Sequence, residues 1–270
     1  MSVAAFSEFE RSGWDERALG YDRMLGRATA RVVDHMLDAA RVGAGGRVLD
    51  VACGTGAAAA AAAARGADAV GVDVAAAMLQ VARRRHHDPL FVRAAAEALP
   101  FRAGSFDAVL GGFLVHHLPE PVPVVREFAR VLAPGGRLAL TAWDVPERCA
   151  LVGALVDAVN EVGAPPPADL PPGPPFFQFS TADVFAALLA SGGFPDVEVR
   201  TVTFAHPVAD ADEWWDGLIG GTVRSSALVV RQPDDVRRAI RAAFDRVASR
   251  YADGSRLTVP VSVKLAVGSV

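Results

Sequence analysis

Eight consecutive alanines, Ala57 to Ala64, follow a short β-branched run and a glycine loop in the stretch "VLDVACGTGAAAA", Val48 to Ala60. Alanine has the highest helix propensity, and its small side chain lets a helix lie close against a sheet. The run therefore predicts a crossover helix rather than low-complexity chain. Strand, glycine turn and helix in that order commit the sequence to a parallel α/β layout.

Short β-branched runs alternate with helical stretches as far as about residue 142. Candidate strands are Arg47 to Val51, Ala69 to Val72, Leu90 to Arg93, Phe106 to Leu110 and Arg137 to Ala142. "APGGR", Ala133 to Arg137, ends a helix that begins near Pro121 and turns the chain into the fifth strand, its glycines free to take positive φ. Seven prolines between residues 164 and 175 exclude a helix or an interior strand there. "STAD", Ser180 to Asp183, restarts order as a capped helix, and "DVEVRTVTF", Asp196 to Phe204, alternates as a strand. From Asp210 to Tyr251 the pattern is helical, with Val236, Ile240, Phe244, Val247 and Tyr251 on one stripe, before Leu257 to Val267 returns to strand. The expected organisation is an N-terminal helical cover over residues 1–45 and a core over 46–205. A helical lid insertion over 206–256 and a last core strand over 257–270 complete it.

Hydrophobic residues make up 51% of the 270, mostly alanine and valine, but no apolar run is long enough to cross a bilayer, so no membrane partner is expected. The N-terminus lacks a basic start followed by an apolar core, and Cys53 and Cys149 read as free thiols; together these point to the cytoplasm. The net charge of −4 argues against a nucleic-acid partner. The one compact basic cluster, "RRRHH" from Arg83 to His87, closes a predicted helix, where cations offset the negative end of the dipole.

Two ligands compete for the glycine loop. "GTGAAA", Gly54 to Ala59, satisfies the loose dinucleotide pattern, with Asp73 placed 19 residues past Gly54 where a ribose-binding acid belongs. Asp50, however, ends the strand before the loop, and a carboxylate there repels a pyrophosphate while suiting the ammonium group of S-adenosylmethionine. The chain also lacks a second mononucleotide half and places about 45 residues ahead of the first strand, enough for helices that fold over a ligand.

Five separated motifs then stand in a telling order. They are "VLDVACGTG" at 48–56, "VGVDVAAAML" at 70–79, "AEALPF" at 96–101, "FDAVLGGFLVHHLPE" at 106–120 and "FARVLAPGG" at 128–136. On these the chain resembles the class I S-adenosylmethionine-dependent methyltransferases, small-molecule branch, from about Trp14 to Val199. The resemblance implies a Rossmann-like α/β fold with a seven-stranded sheet, six strands parallel and the last antiparallel. It implies S-adenosyl-L-methionine as cofactor, with Asp50 and the backbone of Ala52, Gly54 and Gly56 around its methionine part and Asp73 on both ribose hydroxyls. Val74 and Met78 would flank the adenine, Ala96 and Glu97 would lie at its edge, and Tyr21 and Gly112 would complete the cofactor site. The alternatives are a helix N-cap for Asp73 and core packing for Met78. Two positions depart from the family pattern. Ala52 replaces the first loop glycine, which a methyl group permits if φ stays negative, and Ala95 replaces an acid that accepts from the adenine amino group.

Methyl transfer from a sulfonium is an in-line displacement, so alignment and exclusion of water matter most, and a base helps if the acceptor is a hydroxyl or an acidic carbon. At the carboxyl ends of the strands stand His116, His117, Trp143, Asp144 and His206. His117 is the first candidate base and His116 the second, against a structural role in holding loop backbone; Asp144 either orients a histidine or binds substrate, against a solvated loop acid. No ligand cluster supports a metal. Trp143, Phe177, His206 and Trp214 are candidate substrate contacts, with Phe176, Phe179 and Trp215 nearby, and they suit an apolar or aromatic small-molecule acceptor; packing onto the sheet is the alternative. "GGFL", Gly111 to Leu114, is not the Pro-Pro-aromatic signature of base-amine methylation. The expectation is O- or C-methylation of a secondary metabolite. A non-methylating S-adenosylmethionine enzyme such as a cyclase, a nicotinamide-dependent oxidoreductase and a pure binding protein are the alternatives.

Overall fold

The computed structural model describes residues 3–270. Its strands are β1 (Arg47–Val51), β2 (Asp68–Asp73), β3 (Leu90–Arg93), β4 (Phe106–Gly111), β5 (Leu132–Trp143), β6 (Val197–Val208), the two-residue β7 (Ala252–Asp253) and β8 (Arg256–Ser269). The main sheet has the order β3-β2-β1-β4-β5-β8-β6, with β7 paired to β8 off that path. β1 to β5 pair in parallel, while β8 runs antiparallel to both β5 and β6. The seven main strands and the antiparallel last one are those the sequence leads one to expect.

The helices are α1 (Val3–Arg23), α2 (Leu25–Thr29), α3 (Val33–Ala39), α4 (Ala57–Ala64), α5 (Ala76–Arg85), α6 (Pro121–Val131), α7 (Ala150–Val162), α8 (Ala182–Ser191), α9 (Ala211–Gly221), α10 (Arg224–Val230) and α11 (Asp234–Ser249). The alanine run is α4, and Ala59 and Ala62 are fully buried under it. Strand alternation divides the core between the two faces of the sheet. Val48 and Leu110 join the side chains of α3, α7 and α11, while Leu49, Val51 and Val109 face α6 and α8. Among the described residues no helix is long and apolar enough to cross a membrane.

Three details differ from the sequence reading. The "APGGR" turn lies inside β5 rather than before it: Phe106 pairs with Leu132 and Ala108 with Arg137, so residues 133–136 bulge opposite Asp107, with Gly135 at φ +78°. α8 begins after Thr181 without a side-chain cap. The helical stretch 210–251 is α9, α10 and α11, and α11 packs Ile240, Phe244 and Val247 into the sheet-face core instead of standing above the strand ends.

α1 crosses the carboxyl end of the sheet and docks on α9 and α5. Its approach to α9 needs glycine: a Cβ on Gly20 would sit 2.0 Å from the Gly220 carbonyl oxygen. β1 and β4 are the central neighbours from which the chain winds outward in opposite directions, and ligands gather at such a switch point.

Candidate active site

β1 ends at Val51, and the loop that follows folds back on β2. Cys53 N–H donates to the Val72 carbonyl (3.0 Å) and Gly56 N–H to that of Cys53 (2.8 Å). Asp73, the last residue of β2, accepts from Gly54 N–H at 2.9 Å and from Ala75 N–H at 2.8 Å, one bond on each carboxylate oxygen. Each oxygen keeps acceptor capacity. Burial pushes the Asp73 carboxyl up to about 6, against the pull of those two bonds. It is not a helix N-cap, because Ala75 holds that position of α5.

A cavity of about 440 Å³ opens above this loop. Tyr21, Ala52, Gly54, Asp73, Val74, Met78, Ala96, Glu97 and Gly112 all line it, as does Ala95 at the position where the family's acid is missing. Loss of water around the Tyr21 phenol pushes it up to about 12, and its hydroxyl shares a 2.8 Å hydrogen bond with Thr29 Oγ1. Ala52 has φ +56°, so the expectation of negative φ is overturned: the loop bonds of Cys53 and Gly54 force a left-handed residue there and the methyl is carried at a cost. Phe113, at the end of β4, is left-handed as well, at φ +55°.

Two of the expected cofactor residues stand behind the cavity wall. Asp50 is buried under α4, where it accepts from Ala59 N–H at 3.0 Å, and burial raises its carboxyl to about 7. Gly56 caps α4 at φ +87°, and a Cβ there would meet Phe91 of β3 at 2.8 Å, so its glycine makes room for that ring.

Beyond the loop the cavity widens against His116, His117, Trp143 and Phe176. His117 Nδ1 lies 3.0 Å from Glu10 Oε2 of α1, which also accepts from Trp14 Nε1 at 3.1 Å. Glu10 is only 5% exposed, and its other oxygen, Oε1, is buried without a partner. His116 is buried, its Nδ1 unpartnered; burial, then the neighbouring His117 and Arg224, hold it well below the usual histidine range, so it is uncharged. The tilted Phe113–Trp143 pair, 4.1 Å between centroids, and Phe176, 4.6 Å from His116, make this end apolar. Among the described residues no group of His, Cys, Asp and Glu has the makings of a metal site.

Four of the expected catalytic and substrate residues do not line the cavity either. Alternation along the end of β5 turns Trp143 toward it and Asp144 away. Asp144 is fully buried, bonded by Ser262 Oγ (2.7 Å), Arg148 (2.9 Å) and Val145 N–H (2.8 Å), with Lys264 at 3.3 Å. Burial alone would raise its carboxyl; these donors outweigh it and hold it below the usual range. Trp214 is core, packed on Phe244 and Tyr251 with Nε1 donating to the Leu151 carbonyl. His206 is buried on β6, and burial, then the nearby Arg27 and Arg31, lowers its basicity. Phe177 packs against the core edge while its neighbour Phe176 takes the cavity position. Of the helical stretch 210–251 only residues 222–225 reach the cavity, and α1 provides most of its cover. The residue that sequence reasoning missed is Glu10. It sits on the stripe Phe6–Glu10–Gly13, the one acid among its buried positions, and that placement was the available signal.

The methyltransferase-domain family model matches residues 49–140. The demethylmenaquinone methyltransferase of Beutenbergia cavernae is 39% identical over 132 residues, covering 49% of this chain and 52% of that protein. The 27-O-demethylrifamycin SV methyltransferase of Amycolatopsis mediterranei is 33% identical over 157 residues, 56% of each. The chain thus spans about half the length of the curated relatives it matches. Among solved structures, YcgJ of Bacillus subtilis superposes with a TM-score of 0.57 at 23% identity, over 88% of this chain and 97% of that one. Phosphoethanolamine N-methyltransferase 2 of Haemonchus contortus does so with a TM-score of 0.52 at 17% identity, over 88% and 52%. These likenesses are of fold.

Proposed function

The chain belongs to the class I S-adenosylmethionine-dependent methyltransferases, and from that premise we propose that it methylates oxygen or carbon of a small apolar or aromatic acceptor. One observation carries the reading: a single cavity joins the Gly54–Asp73 loop to the His117–Glu10 pair. The names of the demethylmenaquinone and demethylrifamycin relatives support an acceptor of this kind.

The residues present suit the cofactor. Asp73 keeps free acceptor capacity for two adjacent hydroxyls, Gly54 leaves the loop open where a side chain would intrude, and Val74 and Met78 offer apolar surface to a flat ring. When bound, S-adenosylmethionine supplies a methyl group on a positively charged sulfur. The protein's part is alignment and dryness. With Nδ1 engaged by Glu10, the Nε2 of His117 takes the proton from the acceptor, and Glu10 stabilises the imidazolium that forms. The uncharged His116, Phe176 and Trp143 hold the acceptor and keep water out. α1, with residues 222–225, is the cover under this reading, and the two unbridged buried thiols suit a cytoplasmic setting.

The test is to incubate the protein with methyl-labelled S-adenosylmethionine and a metabolite extract of its source and to identify the labelled product. A product altered without gain of a methyl group would move the assignment to a non-methylating enzyme of the same fold.

A further inference from the structure

The acceptor end of the cavity contains a cation that the protein leaves largely unsatisfied. Arg224, the first residue of α10, is half-buried, with its guanidinium 5.3 Å above the Phe6 ring. Among the described residues its side chain makes one hydrogen bond, to the His116 carbonyl, stretched to 3.5 Å. A guanidinium has five N–H donors, and partial burial has removed water from them. Burial also depresses its basicity, against the pull of Glu10. Among the described residues no carboxylate forms an ion pair with it. Arg11, the other arginine at the cavity, is by contrast held by Glu8 and Asp15.

One further group makes this a receptor rather than a stray charge. His116 Nδ1 is buried in the same wall without a partner and donates to an anionic oxygen in its Nδ1–H tautomer, whereas the unpartnered Glu10 Oε1, an acceptor, calls for a donor such as an acceptor hydroxyl. Unsatisfied polar atoms at this depth are costly unless a ligand completes them. Glu10 acts on Arg224 only at a distance, because no ion pair joins them among the described residues and its Oε2 is taken by Trp14 and His117. Once His117 carries a proton, Glu10 balances that charge and Arg224 stands alone.

We propose that Arg224 anchors an anionic oxygen of the acceptor, which makes the acceptor an apolar or aromatic molecule bearing an acidic oxygen, a carboxylate or a phenolate. Phe176, Trp143 and Phe113 take its ring system and Arg224 its charge, and the two-point grip fixes which atom meets the methyl group. The inference rests on taking this end of the cavity as the acceptor compartment.

The experiment titrates two matched pairs into the full chain by calorimetry, with and without S-adenosylhomocysteine: 2-naphthoate against 2-naphthamide, and 4-nitrophenolate against 4-nitroanisole. The expected result is that the anion of at least one pair binds about tenfold or more tightly than its neutral partner. Which pair shows it identifies the oxygen class. Arg224→Gln should bring the two members within about twofold of each other, Arg224→Lys should retain part of the preference, and both should leave S-adenosylhomocysteine affinity and the circular dichroism spectrum unchanged. Equal binding of anion and neutral partner, a preference that survives Arg224→Gln, or binding of neither anion would overturn the proposal. If Arg224→Gln does not fold, Arg224→Met takes its place, and a preference for the anion that survives there overturns the proposal too. Failure of S-adenosylhomocysteine to bind would instead overturn the methyl-transfer reading, and the probe pairs on the ligand-free protein would still decide about Arg224.

Discussion

His117 Nδ1 and Glu10 Oε2 lie 3.0 Å apart across 107 residues of sequence, so the helix that covers the cavity also holds the imidazole in place. His117→Ala should slow turnover by about a hundredfold while S-adenosylmethionine affinity stays within about twofold. Glu10→Gln removes the charge and keeps the shape, and should cost about tenfold in kcat with little change in KM. Steady-state kinetics on both variants checks this. Full activity in His117→Ala across the pH range would leave alignment as the whole of catalysis.

Asp50 and Asp73 each tie the stability of the ligand-free protein to pH. Burial raises them from 3.8 to about 7 and about 6, so in the folded state they keep protons that the unfolded chain has already released. Their contribution to stability therefore falls as pH climbs from about 4 to about 7, against the opposite contribution of the buried His116 and His206. S-adenosylhomocysteine affinity should run the other way, because only the ionised Asp73 offers all its acceptor sites. Melting temperatures and calorimetry over this window test both signs, and Asp50→Asn should flatten the stability slope.

Ala52 carries left-handed backbone that glycine adopts freely. Ala52→Gly should raise stability by about 1 kcal/mol and Ala52→Val should lower it by about 2 kcal/mol or more, as measured by urea unfolding. A neutral Ala52→Val would mean that the loop is not held as described.

Asp144 is a structural acid. Asp144→Asn leaves Lys264, 8% exposed at its side chain, without its buried counter-charge, and should cost roughly 3 kcal/mol of stability with kcat unchanged at a permissive temperature. A selective loss of kcat in a stable variant would return Asp144 to the reaction.

Gly20 sets the seat of α1. Gly20→Val drives a side chain into the Gly220 carbonyl, so α1 should lift, trypsin should cut at Arg11, Arg17 or Arg23 many times faster, and turnover should fall with the loss of Glu10 from the site.

The strands and the cofactor loop were legible because their signals are local. A buried parallel strand is a short apolar run, and the loop announces itself by glycines beside Asp50 and Asp73. Even there the sequence could not distinguish Asp50 lining the cavity from Asp50 holding Ala59 behind it, since one residue of depth leaves no trace in spacing. The acceptor side was harder. Trp214 and Phe177 are aromatics on connecting segments, like Phe176, and only the packing decides which ring meets the core. Trp143 and Asp144 differ by one position in a strand, and alternation sends them to opposite sides. Glu10 and Arg224 come from segments more than 200 residues apart, and each acquires meaning only when α1 crosses the sheet.

The cavity has walls of two origins. The Asp73 loop, together with Phe113, His116 and His117, belongs to residues 49–140, the stretch that the methyltransferase-domain model matches, whereas Glu10, Trp14, Phe176, Thr222 and Arg224 lie wholly outside it. The acceptor half thus sets histidines of the matched stretch against side chains carried by three segments beyond it. Exchanging residues 4–14, the 176 region and residues 222–225 with those of a relative, with Tyr21 kept, should transplant acceptor preference and leave the grip on the methyl donor in place. Wide divergence in these three segments, with the loop unchanged, is how a lineage built on this scaffold would change its chemistry's target.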